Sequence, residues 1–276
     1  MSRSEPIDAI PLLAPRDGLP SVTHDDIDTA INAIASGYGP IAVDTERAMG
    51  IRYSDRAYLI QLRRPGAGTF LIDPVGIEDR LALLAEVMAC EWILHAADQD
   101  LPCMHQLGLY PTAVIAALLL GFERVSLQAL AAEVLGHALA KELSNSDWSQ
   151  RPLTSDLLTY AALDVELLHE LKDALTDMLR NAGREDWCIQ ECEAVRTKPP
   201  RPAKRQPWRK AANQADIHDR RALAMVEQLW NARDALARKR DVAPSHILPT
   251  QVLGALAKYK PRSRADVIRS PLMRSQ

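Results

Sequence analysis

The stretch IAVDTERAMG, residues 41–50, decides how the rest of the chain reads. Ile41, Ala42 and Val43 are apolar and read as a strand entering a core. Asp44 and Glu46 follow, with Thr45 between them. Side chains alternate faces along a strand, so residues two apart point the same way. Two carboxylates on one face at the end of a buried strand repel each other and resist desolvation. Such a pair calls for a positive charge between its members.

Outward from that strand, AYLIQLRR (57–64) and TFLIDP (69–74) read as second and third strands, split by the turn signal PGAG. The three predict an antiparallel meander. Upstream, THDDIDTAINAIAS (23–36) predicts a helix capped by Thr23, with Ile27, Ile31 and Ile34 at helical spacing. Downstream, EDRLALLAEVMAC (78–90) predicts an amphipathic helix and WILHA (92–96) a short strand with an acidic segment directly after it. A strand–helix–strand unit follows, which favours a mixed sheet with helices on its faces. TAVIAALLLG (112–121) and SLQALAAEVLG (126–136) read as two helices, each ended by glycine. The longest predicted helix runs over 154–181, with Leu157, Leu158, Ala161, Val165, Leu168, Leu171 and Leu175 on its apolar face and Gly183 as its stop.

Composition then changes. RTKPPRPAKRQPWRK (196–210) holds seven basic residues and four prolines and reads as an extended linker able to touch phosphates. Two further helices are predicted beyond it, over 216–241 and 248–261, the first with Leu223, Val226, Leu229, Trp230 and Ala237 as its stripe. The net charge of −3 hides an asymmetry. Residues 196–276 carry 19 Lys or Arg against 6 Asp or Glu, a net +13, whereas residues 1–195 carry −16. A basic tail on an acidic body points to a polyanionic partner, or to two halves that attract each other. The longest apolar run, 113–120, is too short to span a bilayer, and the N-terminus lacks the apolar stretch of a secretory signal. Four cysteines in 276 residues make no disulfide framework. These features predict a cytoplasmic protein.

Three acidic segments stand out: Asp44 with Glu46, Asp98 with Asp100, and Asp164 with Tyr160 four residues before it on one helix face. Hard divalent cations take oxygen ligands, and a pair of them clamps an in-line phosphodiester displacement when about four carboxylates converge. Asp44, Glu46, Asp100 and Asp164 supply that number, and Tyr160 is placed to orient a water. Spacing alone does not decide the matter, because acidic residues at i and i+2 are common.

The sequence resembles the ribonuclease D family of 3'-to-5' exonucleases, in the tyrosine branch of the DEDD superfamily. The likeness lies in VDTE (43–46), YLIQL (58–62), LIDP (71–74), HAADQDL (95–101) and SDWSQRPLTSDLLTYAALDVELL (146–168), in that order, and covers about residues 25–182. The other branch has histidine five residues before the last acid; here that place is Thr159. The resemblance implies a ribonuclease H-like mixed α/β sheet flanked by helices. It carries the metal-binding acids onto Asp44, Glu46, Asp100 and Asp164, and the catalytic tyrosine onto Tyr160. It implies two divalent cations, Mg2+ or Mn2+, and hydrolysis of RNA from its 3' end to nucleoside 5'-monophosphates, with single-stranded 3' ends such as those of tRNA precursors as substrate. One departure is Arg47, where the family commonly has an aromatic residue after DTE; the expectation is that a guanidinium substitutes there in stacking on the terminal nucleotide.

Residues 228–263 resemble the HRDC domain, a small all-α nucleic-acid-binding module that follows the exonuclease domain in this family. The expected organisation is an exonuclease domain over 1–195, a basic linker over 196–212 and an HRDC-like domain over 213–276 that is shorter than usual. Two other functions fit the same residues: a DNA 3'-to-5' exonuclease, and a binding module with an inert site. Plainer roles are expected elsewhere. Asp98 reads as a helix N-cap, His95 as a structural hydrogen-bonder, and Cys103, His105, Cys188 and Cys192 as lacking a zinc-ligand spacing. Trp148 is expected to pack near the site, Trp208 to anchor domains or stack on a base, and Arg238, Lys239 and Arg240 to suit a helix C-terminus.

Overall fold

The computed structural model describes residues 9–115, 125–139, 143–200, 202 and 204–273. They fall into two compact units, one of residues 1–48 and 56–200, the other of residues 49–55 and 201–276.

The first unit is built on a six-stranded mixed sheet. Its strands are β2 (Val22–Thr23), β3 (Ile41–Arg47), β4 (Ala57–Arg64), β5 (Gly68–Ile72), β6 (Glu91–Ile93) and β7 (Ala113–Ile115), in the order β2-β5-β4-β3-β6-β7. β3, β4 and β5 form the antiparallel meander, while β6 runs parallel to β3 and β7 parallel to β6. The β4–β5 turn closes with Ala67 N–H donating to Arg64 C=O, 3.0 Å. Pro65 and Gly66 hold its middle, and Gly66 has the positive φ of +80° that a type II turn needs at that place. A separate parallel pair joins β1 (Ile10–Leu12) to β8 (His137–Leu139).

Alternation along β3 divides the sheet's two faces. Ile41 and Val43 join Ile60, Leu62 and Ile72 in one buried cluster, which α1 (Ile27–Ser36) and α3 (Ala97–Gln106) help to close. Ala42 packs on the other face with Val165 and Leu168. These two belong to α5 (Ser155–Glu166) and α6 (Leu168–Asn181), and α4 (Leu127–Leu135) adds Leu127 and Leu130. Asp44 and Glu46 therefore point toward α5. The unit also contains the short α2 (Leu84–Val87) and ends in α7 (Glu185–Arg196).

Several local expectations are corrected. Thr23 lies in β2, and α1 begins after Asp26, which makes no side-chain cap. The segment 78–90 forms a 3-10 turn over Glu78–Leu83 before α2. Residues 113–115 form strand β7 where a helix was expected, because they lie beside β6 inside the sheet; residues 116–124 are outside the described residues. The long helix over 154–181 is two helices, broken at Leu167, and no glycine or proline marks the break. Thr154 caps α5 by accepting from Leu157 N–H.

The second unit is helical: α8 (Arg209–Gln214), α9 (Arg220–Arg240), α10 (Pro244–Ile247), α11 (Thr250–Tyr259) and α12 (Arg264–Arg269). Its core gathers Trp208, Ala211, Ala212, Ile217, Val226, Leu253 and Ala257. Trp208 is thus a core residue of this unit, which removes its base-stacking role. Gly254 is needed inside α11, since a Cβ there would lie 2.6 Å from Ala215 Cβ. Residues 49–55 pack into the same unit: Tyr53 hydroxyl donates to Asp234, 3.0 Å, Ala243 N–H donates to Ile51 C=O, 2.8 Å, and Arg238 donates to the Tyr53 oxygen. The stretch expected as a linker over 196–212 is helical at both ends, closing α7 and opening α8. Among the described residues, no helix is long and apolar enough to cross a membrane.

Candidate functional site

Three of the four acids named from the sequence meet. One carboxylate oxygen each from Asp44, Glu46 and Asp164 lie within 4.8 Å of one another. β3 supplies the first two and α5 the third, because α5 packs across the face of β3 that carries Ala42, Asp44 and Glu46. Glu46 is 5% exposed and Asp164 8%, while Asp44 keeps an accessible edge. Tyr160 sits one turn before Asp164, and its hydroxyl hydrogen-bonds that carboxylate. The indole of Trp148 is fully buried with its ring 6.1 Å from that of Tyr160, so it packs beside the cluster as expected.

Asp100 lies outside the trio's 4.8 Å grouping, although its charge is the first of the neighbouring charges to raise Asp44. It lies in the first turn of α3, buried, and accepts a hydrogen bond from Thr45 Oγ1 at 2.7 Å. The threonine of VDTE thus reaches from the opposite face of β3 to fix the fourth acid. Asp98 is not the N-cap of this helix. The cap position is Ala96, and Asp98 is exposed inside the first turn without a side-chain cap bond.

The electrostatics follow from burial and like charge. Burial first, then the Asp164 and Asp100 charges, push the Glu46 carboxyl up to about 9. Asp44 is likewise raised well above the ordinary range, by burial and then by Asp100, Asp164 and Glu46. Asp100 is raised to about 6, chiefly by burial, against the lowering effect of Thr45 and Arg47. The Tyr160 phenol is raised by burial and by the neighbouring carboxylates, so it stays a neutral donor. Arg47 offsets part of this negative charge and also donates to Gln99 Oε1 at 3.2 Å. A group of buried carboxylates that resist ionisation together, with oxygen as the only donor type, is the chemistry a hard divalent cation relieves.

Other candidates do not form such a group. His95 is half-buried, its Nδ1 is buried and unpartnered, and burial lowers its pKa against a backbone hydrogen bond with Val125. Cys188 and Cys192 are buried thiols outside any disulfide, with sulfurs 3.9 Å apart. Among the described residues, the metal-ligating geometry is confined to Asp44, Glu46 and Asp164.

The sequence reading missed the scaffold behind the site. Arg151 of SDWSQRPL pairs with Asp73 of LIDP: its Nη2 donates to Asp73 Oδ1 at 2.7 Å and to Tyr58 C=O at 2.8 Å. Its Nη1 donates to Trp148 C=O at 2.8 Å, which fixes the loop carrying the indole. Opposite charges in two separate motifs are the only signal the sequence holds for this pair. Gln61, fully buried, lies directly across from Asp44 in the β3–β4 register.

Comparison with known proteins places these features. The family described as 3'-5' exonuclease matches residues 21–180, and the HRDC domain family matches residues 222–276. The chain is 30% identical over 256 residues to ribonuclease D of Musicola paradisiaca, covering 89% of this chain and 68% of that protein. A crystal structure of a protein from Bifidobacterium adolescentis superposes with a TM-score of 0.90 at 37% identity, over 95% of this chain and 67% of the other. Escherichia coli RNase D, described as an exoribonuclease involved in structured RNA processing, gives a TM-score of 0.68 at 28% identity, over 88% of this chain and 66% of its own. The chain spans 58–68% of the length of three further ribonuclease D sequences that it matches. With its exonuclease motifs, mixed sheet and HRDC region in that order, the chain belongs to the ribonuclease D family of 3'-5' exonucleases.

Proposed function

We propose that the chain is a metal-dependent 3'-to-5' exoribonuclease that shortens single-stranded RNA 3' ends, tRNA precursors among them, to nucleoside 5'-monophosphates. The observation that carries this reading is the convergence of Asp44, Glu46 and Asp164 oxygens within 4.8 Å, with Tyr160 hydrogen-bonded to Asp164. Asp44, Glu46 and Asp164 would hold the cations, with Asp100 supporting from its Thr45-bonded position. An all-oxygen donor set suits Mg2+ or Mn2+. When bound, two such ions lower the pKa of an attacking water and steady the leaving oxygen of the phosphodiester.

The chain's own residues do the rest. The accessible edge of Asp44 leaves the cluster open to a substrate phosphate. Tyr160 keeps its proton, spends it on Asp164, and leaves its oxygen lone pairs to accept a hydrogen bond from the nucleophilic water. Trp148 limits the movement of the Tyr160 ring, and Arg151 with Asp73 fixes the loop that carries Trp148. The basic residues of the C-terminal unit would hold the strand upstream through salt-sensitive phosphate contacts.

RNA and DNA strands labelled at the 5' or the 3' end, incubated with Mg2+, Mn2+ or EDTA, test the reading. A ladder of 5'-labelled RNA shortening from the 3' end, abolished by EDTA, is expected. Shortening of DNA in preference to RNA, or a mobility shift without products, would replace it.

A further inference from the structure

The helical unit contains a cavity of about 380 Å3, lined by Lys210, Gln214, Trp230, Arg233, Thr250 and Gln251 among others. That volume lies within the roughly 300–1,000 Å3 of small-ligand sites. Among the described residues, no carboxylate lines the cavity. Arg233 projects from the middle of α9 and is only 8% exposed. Its Nη1 donates to Leu248 C=O at 3.1 Å and to Thr250 Oγ1 at 3.2 Å, while its Nε is buried without an acceptor. The next residue, Asp234, spends its carboxylate on Tyr53 and Arg238. A buried guanidinium without a direct anionic partner is costly, and among the described residues Arg233 makes no ion pair and feels only the neighbouring Asp234 charge.

A second, independent feature opens on the same cavity. α11, ten residues long, begins at Thr250, and its N-cap is Pro249, which offers no side-chain acceptor to the first turn. The unsatisfied N–H groups of a helix start and the positive end of its dipole favour an anion. Lys210, exposed on α8, adds a second cationic side chain. Beside them stand the half-buried indole of Trp230 and the amides of Gln214 and Gln251, a flat face and hydrogen-bonding edges next to a site for negative charge.

We propose that this cavity is a phosphate-binding subsite that accepts one nucleotide, with its phosphate between Arg233, Lys210 and the start of α11 and its base against Trp230. The phosphate assignment stands on the cavity alone; that the phosphate belongs to the substrate strand rests on the exonuclease reading. A strand phosphodiester and a free 5'-monophosphate share this chemistry, and the arms of the test separate them.

The test uses the full chain in EDTA, with binding measured for a fluorescein-labelled single-stranded RNA 12-mer, for 5'-AMP and for inorganic phosphate. The double variant Lys210→Ala, Gln251→Glu places a carboxylate at the helix start, where it suits the dipole and keeps the fold. Arg233→Met is the second variant, with its fold checked by circular dichroism. The variants should weaken RNA binding at least tenfold; loss of RNA binding alone identifies a strand phosphate, and parallel loss of 5'-AMP binding a site open to free nucleotide as well. Wild-type affinity of the double variant for all three ligands would overturn the proposal. Hydrolysis of a dinucleotide is read separately with Mg2+. A chain that cleaves nothing yet loses phosphate binding in the variants would sink the exonuclease reading and leave the subsite standing.

Discussion

Replacing Glu46 with glutamine probes the acidic cluster without any assay of activity. The Glu46 carboxyl is raised from 4.5 to about 9 in the ion-free fold, chiefly by burial and then by Asp164 and Asp100. A carboxyl whose folded pKa exceeds its unfolded value binds more protons in the folded state. Its stabilising contribution is complete below about pH 4.5 and is lost as pH climbs toward 9. At pH 8 the separation between ambient pH and the unfolded value is about 3.5 units, which at about 1.4 kcal/mol per unit sets a ceiling near 5 kcal/mol. Relaxation of the ion-free site brings the expected gain of Glu46→Gln to about 3–5 kcal/mol, or a rise in Tm of about 6–20 °C. Differential scanning calorimetry in EDTA at pH 8 and pH 5 measures it. At pH 5 the gap should shrink to about 1 kcal/mol or less. Adding Mn2+ at pH 8 should reverse the order, since the wild type gains a ligand that the variant has lost. A variant less stable than wild type in EDTA at pH 8, or a difference independent of pH, would refute the argument that these acids are held together against their own repulsion.

Other perturbations separate the parts of the site. Tyr160→Phe should lower kcat about 100- to 1,000-fold while leaving Mn2+ affinity, read by calorimetry, within about twofold of wild type. Thr45→Val removes the donor to the buried Asp100 carboxylate and should weaken Mn2+ binding about tenfold or more, with a stability loss of about 1–3 kcal/mol in urea unfolding. Arg151→Ala leaves the mostly buried Asp73 carboxylate unpaired and should cost about 2–4 kcal/mol in urea unfolding, with a fall in kcat as the Trp148 loop loosens.

Much of the catalytic unit is legible in its sequence because local and global signals agree there. Alternation in residues 41–46 placed Asp44 and Glu46 on one face of a strand, and α5 covers that face. Proline and glycine in PGAG marked the β4–β5 turn, and helical spacing put Tyr160 above Asp164. Where the reading failed, tertiary context overrode the pattern. Residues 113–115 look like the start of an apolar helix, and they became a strand because β6 offered them a parallel partner. Asp98 carries the chemistry of an N-cap, but α3 starts one residue before it. The break at Leu167 has no residue of low helix propensity to announce it. Arg151 and Asp73 are 78 residues apart, and neither periodicity nor spacing reports so distant a pair.

Crystals of the protein grown with Mn2+ and examined by anomalous scattering test the central claim most directly. Strong peaks are expected between the carboxylates of Asp44, Glu46 and Asp164, lost in Asp44→Asn. Peaks elsewhere in the molecule, or three carboxylates splayed apart with no metal among them, would contradict it.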